Sequence, residues 1–201
     1  VSHVYGVHER IWHWVQATTA LVLLATGVAL HAPGGVRVVS LEVAARVHEA
    51  AGAFLILNAA LGLFYYLTSG AIREYLPGPP RDFFTLALAQ ARYYLLGIFR
   101  GEPHPVERGR RLNALQRVTY LAILNLLLPA LVITGALLWA RERIPALAGL
   151  PTRPLLIVHL LGAWLLAAFV VAHLYLTTTG RTPLSNLRAM VFGRDDEEEQ
   201  A

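Results

Sequence analysis

Four histidines interrupt otherwise apolar stretches of this 201-residue chain: His13, His48, His159 and His173. An ionisable side chain inside a long apolar run is costly and usually has a partner or a task. A neutral imidazole is also the commonest side-chain ligand for a metal. His159 and His173 share one such run, "LLIVHLLGAWLLAAFVVAHLYL", and stand fourteen residues apart. At 100° and 1.5 Å per residue, that spacing returns to within about 40° of the same face after a rise of roughly 21 Å. Two imidazoles therefore project from one side of one helix, near its two ends. Such an arrangement can ligate at two levels, relay protons, or simply be satisfied in a core.

The elements that position these residues follow from composition. The chain is 56% hydrophobic and only 15% charged, with a mean hydropathy of +0.50. Four runs, at about 11–30, 47–68, 118–140 and 154–178, are long enough to cross a bilayer core of about 30 Å, which takes roughly 20 helical residues. The expected fold is an all-α integral membrane protein, a bundle of four transmembrane helices. It forms one domain over 1–193 without internal repeats, followed by an acidic disordered tail at 194–201. The first run is read as a span and not a cleavable signal, because its apolar core is long and three further spans follow. The chain has no cysteine, which excludes disulfides, thiolate metal sites and covalent c-type haem. The net charge of +4 calls for no nucleic-acid partner.

All basic residues are arginines, and they sort by side. Arg10, Arg73, Arg81, Arg92, Arg100, Arg108, Arg110, Arg111, Arg117, Arg181, Arg188 and Arg194 fall on one side, and Arg37, Arg46, Arg141, Arg143 and Arg153 on the other. Twelve against five predicts that both termini and the loop 69–116 lie in the cytoplasm. Within that loop, "RDFFTLALAQARYYLLGIF" follows the breaker "PGPP" and reads as a helix lying in the membrane interface, either resting on lipid or offering a docking platform.

Topology then pairs the histidines. The fourth span runs from outside to inside, so His159 lies at the outer level and His173 at the inner one. The first span enters from the cytoplasm at His13, and the second enters from outside at His48. The expected pairs are His13/His173 and His48/His159, with the third span, which has no histidine, outside the ligand set. Gly27 follows His13 by fourteen residues and Gly62 follows His48 by fourteen, which puts bare backbone on each ligand face at the opposite level; Gly52 adds room one turn after His48. Ordinary small-residue helix packing is the plain alternative for each glycine. Two imidazoles per level and no thiolate fit two bis-histidine b haems, whereas zinc or copper wants three or four donors at one point. Arg10 and Arg46, each close before a ligand histidine, are candidates for propionate contacts, with topology and snorkelling as the competing role. His3, His8, His31 and His104 lie at ends or in loops and are read as non-ligands.

The segments "RIWHW", Thr26–Gly27, "ARVHEAAG", "LNALQRVTYL" and "VAHLYLTTTGRTPLSNLRAMVFG" resemble the prokaryotic di-haem cytochrome b subunits shared by nickel–iron hydrogenases, formate dehydrogenases and thiosulfate reductases, from about His8 to Gly193. The resemblance implies a multi-pass subunit of the bacterial or archaeal cytoplasmic (inner) membrane. Such a subunit anchors a respiratory oxidoreductase and moves electrons between menaquinone or ubiquinone and a periplasmic-side iron–sulfur, molybdopterin, nickel–iron or multihaem partner. It also implies that His13, His48, His159 and His173 are the haem ligands, and that a quinone binds beside the inner haem at His173 and Asn113, with Gln116 matching as well. Leu115 stands where those relatives have glycine. From the residues alone, Asn113 is either a quinone hydrogen-bonding group or the N-cap of the third helix. Two rivals stay open. One is a stand-alone b561-type quinone reductase such as a superoxide oxidase, against which the 48-residue loop 69–116 argues. The other is a haem-free transporter or proton channel, against which the lack of carboxylates deep in the spans argues.

Overall fold

A computed structural model describes residues 5–31, 39–76, 80–105, 112–180 and 182–193. The acidic tail, His3 and several of the counted arginines (Arg37, Arg108, Arg110, Arg111, Arg181, Arg194) lie outside the described residues. Among the described residues every regular element is helical: α1 (Val7–His31), α2 (Leu41–Thr68), α3 (Pro80–Arg92), α4 (Ala114–Ala122), α5 (Leu128–Arg141), α6 (Thr152–Thr177) and α7 (Ser185–Phe192), with short 3-10 and π turns between. Four segments are long and apolar enough to cross a membrane: α1, α2, the continuous run Ala114–Arg141, and α6. They start earlier than the hydropathy of the sequence suggests, because a helix runs on through a polar first turn. In α2 that turn contains Glu42, an acid favoured at a helix N-terminus, and Ser40 accepts the Val43 N–H at 3.3 Å. Large apolar side chains such as Leu61, Phe64, Trp164 and Val171 point outwards, which suits a lipid solvent. The described chain separates into two compact units, 1–62 with 131–201, and 63–130.

In the first unit, polar groups set inside spans find partners across helices. The Trp12 indole donates to the Asn58 carbonyl at 3.1 Å, and the Asn58 amide donates to the Gln16 amide oxygen at 2.6 Å, tying α1 to α2. Gly62 lies directly against Trp12: a Cβ there would stand 2.5 Å from the indole nitrogen. The room expected at Gly62 for a macrocycle is filled by that indole. Gly62→Ala should therefore displace Trp12 and cost about 1–3 kcal/mol by overpacking, read as a lower Tm in detergent and relieved when Trp12 is also cut to leucine. After α6, α7 turns back on the start of α1. Arg10 Nη1 donates to the Val191 carbonyl at 2.7 Å, and the Trp14 indole donates to the Met190 carbonyl at 3.2 Å, so two α1 side chains satisfy the open end of α7. At the other end of the spans, Arg143 joins Glu49 at 2.8 Å and lies over the Trp139 ring at 4.7 Å.

In the second unit, α3 packs its Phe83 and Ala87 against Ala114, Val118 and Leu121 of α4. Phe84, Leu88, Leu95 and Phe99 form an exposed apolar stripe on the segment's other side, the two-faced pattern of an interfacial helix. Gln90 is fully buried: its amide donates to the Pro105 carbonyl at 3.1 Å and its oxygen accepts the Leu115 N–H at 2.9 Å. Arg117, also buried, lies over the Phe83 ring at 5.0 Å and donates to the Leu76 carbonyl at 3.3 Å. The third span carries a π turn at Ile123–Leu127. Pro129 explains it, since a proline inside a helix offers no N–H and crowds the carbonyl four residues back, that of Asn125. The Tyr94 hydroxyl meets His104 Nε2 at 2.9 Å, and burial holds that imidazole below its ordinary pKa range. The unfolded chain therefore takes up this proton first as pH falls. His104 should make the unit lose stability as pH drops through and below about 6.5, an effect that His104→Gln removes from Tm measured against pH.

Candidate functional site

The first unit brings the four span histidines together two by two. His13 of α1 and His173 of α6 have ring centroids 6.0 Å apart, and His48 of α2 and His159 of α6 have theirs 6.2 Å apart. One helix thus serves both pairs, with about 21 Å of helix rise between its two histidines. Two imidazoles ligating one metal ion from opposite sides, with bonds of about 2 Å and ring centres about 1.1 Å behind each nitrogen, stand roughly 6 Å apart. Aromatic contacts also fall in this range, so spacing alone does not make a site. The chemistry of the nitrogens adds the rest.

At the His48/His159 pair, each ring is held through Nδ1. Thr26 Oγ1 lies 2.9 Å from His48 Nδ1, and Thr134 Oγ1 lies 3.0 Å from His159 Nδ1. A hydroxyl has one proton to give. Thr26 gives its proton within its own helix, 2.7 Å from the Val22 carbonyl and 3.2 Å from that of Leu23, and Thr134 turns to the Leu131 carbonyl at 3.3 Å. Each threonine is then the acceptor of an Nδ1–H bond. That assignment makes both rings the Nδ1–H tautomer, which leaves Nε2 bare and able to ligate.

At the other pair, His13 Nδ1 is buried with no hydrogen-bond partner, His13 meets the Trp14 ring edge-on at 5.2 Å, and His173 stacks on Phe169 at 5.6 Å. A buried polar atom left unpaired costs about 1–3 kcal/mol, so this pair lacks the hydrogen-bonded support that the other has. Among the described residues no three His, Asp or Glu side chains converge as a metal would need, which leaves two-imidazole ligation as the chemistry on offer. The residues fit a bis-histidine haem at each pair.

The remaining candidates divide. Gly27 faces the edge of His48, where a Cβ would make an ordinary contact of 3.6 Å, and the backbone at Gly52 faces open space. Arg10 is committed to the Val191 carbonyl, although its Nε is buried without a bond, and Arg46 is exposed and paired with Glu42 at 2.5 Å. In the second unit, Asn113 and Gln116 form a capping box: Asn113 Oδ1 accepts the Gln116 N–H at 2.8 Å, and Gln116 Oε1 accepts the Asn113 N–H at 3.0 Å. Their side-chain amide N–H groups stay outside that box. His104 contacts Tyr93 and Tyr94, and His31 ends α1.

Two contributors escaped sequence reasoning, Thr134 as a histidine partner and Gly135 beside it. A Cβ at Gly135 would lie 3.1 Å from His159 Cε1, so α5, which supplies no ligand histidine, still borders the site. A signal existed: Leu-x-x-Thr-Gly occurs at 23–27 and again at 131–135.

Residues 4–193 match the family described as prokaryotic cytochrome b561. The chain is also similar to the Escherichia coli (strain K12) protein named "Putative cytochrome YdhU", with 34% identity over 194 residues that cover 95% of this chain and 73% of that protein. No solved structure matches.

Proposed function

The chain belongs to the prokaryotic cytochrome b561 family, membrane proteins of haem b electron transfer, and from that premise we propose that it holds two haems and exchanges electrons between a quinone and a redox partner at the outer face. One observation carries the reading: α6 supplies a histidine to each of two pairs, and each pair has the ring separation that two axial ligands need. Haem b at each pair supplies reversible one-electron iron chemistry. The protein's part is to present Nε2 of His48 and His159 with their tautomer fixed, to close His13 and His173 in with Trp14 and Phe169, and to leave no third donor that would invite another metal. With two imidazoles per iron no open position is left for a substrate, which favours electron transfer over chemistry on the metal.

The arginine asymmetry supports an orientation in which both termini are cytoplasmic, the His48/His159 pair lies near the outer surface and the His13/His173 pair near the inner one. The quinone role is assigned to Asn113 and Gln116 through the amide N–H groups that the capping box does not use, able to donate to a quinone carbonyl. The two-faced segment from Pro80 to Arg100 supports a stretch that lies along the membrane surface and docks with a partner. A haem-free transporter is disfavoured because Gln16, Asn58, Thr26 and Thr134 all use their polar groups within the helices. Purified chain should contain two haem equivalents, give low-spin b bands in a reduced-minus-oxidised spectrum, and be reduced by a quinol. A colourless preparation, or a pigmented one that no quinol reduces and no quinone oxidises, contradicts the proposal.

A further inference from the structure

The two histidine pairs are alike in geometry and unlike in what touches their rings. Two copies of Leu-x-x-Thr-Gly, 23–27 on α1 and 131–135 on α5, each cradle one ring of the His48/His159 pair. In both copies the threonine hydroxyl meets Nδ1, at 2.9 and 3.0 Å, and the glycine faces Cε1, at 3.6 and 3.1 Å from where a Cβ would be. The His13/His173 pair has no such cradle. His13 Nδ1 is buried and unbonded, and His173 lies flat against Phe169.

This difference has an electronic consequence. A hydrogen bond accepted from Nδ1–H leaves more electron density on the imidazole and makes Nε2 a stronger donor. A stronger donor favours ferric over ferrous iron, so it lowers the reduction potential. A ring with an unbonded nitrogen among aromatic neighbours is the weaker donor.

We infer that Thr26 and Thr134 are positioning residues that make the haem at His48/His159 the lower-potential one of the two. This rests on the two-haem reading above and adds an order to it. Electrons delivered by a reduced partner at the His48/His159 level then run downhill to the His13/His173 level. In the proposed orientation that direction is inward, from the outer face to the cytoplasmic side, against the membrane potential. A built-in difference in potential of this sign offsets that opposition, and it makes reduction of quinone by an outer donor the favoured direction.

The test is a redox titration of the purified protein, followed in the b bands. Two one-electron waves are expected. His159→Ala should delete the lower wave and His173→Ala the upper. Thr26→Val and Thr134→Val remove each hydroxyl and keep the branched shape. Each should move the lower wave upward, the double variant further, and the upper wave should stay in place. Thr26→Ser and Thr134→Ser, which keep the hydroxyl, should restore the lower wave. If His159→Ala removes the upper wave, or if the valine variants leave both waves where they were, the inference is overturned while the two-haem reading stands. If no second wave exists at all, that reading fails first. Should a valine variant lose its pigment, the order of waves assigned by the two alanine variants still decides.

Discussion

His159→Ala is expected to halve the haem content, from two equivalents per chain to one. His159 is one half of a pair whose other half, His48, is held only through Nδ1 by Thr26, so one axial donor remains where low-spin iron needs two. His173→Ala should take away the other equivalent. Because the two levels are separated by about 21 Å of helix, the losses should add: each single variant retains one low-spin signal, and the double variant is colourless. A pyridine haemochromogen assay against protein concentration reads the stoichiometry, and the reduced-minus-oxidised spectrum reads which signal survives. Retention of both equivalents in the double variant is incompatible with α6 serving both sites.

The second large effect arises at a residue that binds nothing. Gly135→Leu should abolish the same equivalent as His159→Ala while leaving His159 in the sequence. At 3.1 Å from His159 Cε1, even a methyl group requires the ring to give by a few tenths of an ångström, and leucine adds three more carbons beside it. Thr134, the adjacent residue, cannot follow without losing its 3.0 Å bond to Nδ1. Gly27→Ala makes the informative comparison. Its Cβ would meet His48 at 3.6 Å, an ordinary contact, and both equivalents should remain. Equal haem loss at Gly27→Ala, or full retention at Gly135→Leu, would show that these glycines do not set the position of the rings.

Much of the site could be read from local rules. The spacing of His159 and His173 puts both on one face of α6, and the alternation of span directions brings His13 to one and His48 to the other; the rings lie 6.0 and 6.2 Å apart in those pairs. The segment after "PGPP" reads as a two-faced helix because its apolar residues recur with helical spacing, and α3 with its continuing turns presents that pattern. α7 was harder to foresee. Its eight residues carry too weak a pattern to stand alone, and its open end is satisfied by Arg10 and Trp14 from the far end of the chain.

What the sequence by itself determined, then, was four membrane-crossing helices and the level at which each imidazole sits, because hydropathy, helical pitch and span direction are properties of a segment taken alone. Only the tertiary structure decided which groups touch those imidazoles. Thr26 and Thr134 meet the rings, Trp12 fills the space at Gly62, and Gln90 turns inward while Arg10 is drawn to the end of α7. Such contacts join residues from 15 to 181 positions apart. The rotation and approach of one helix against another set them, and no periodicity within a single segment encodes that.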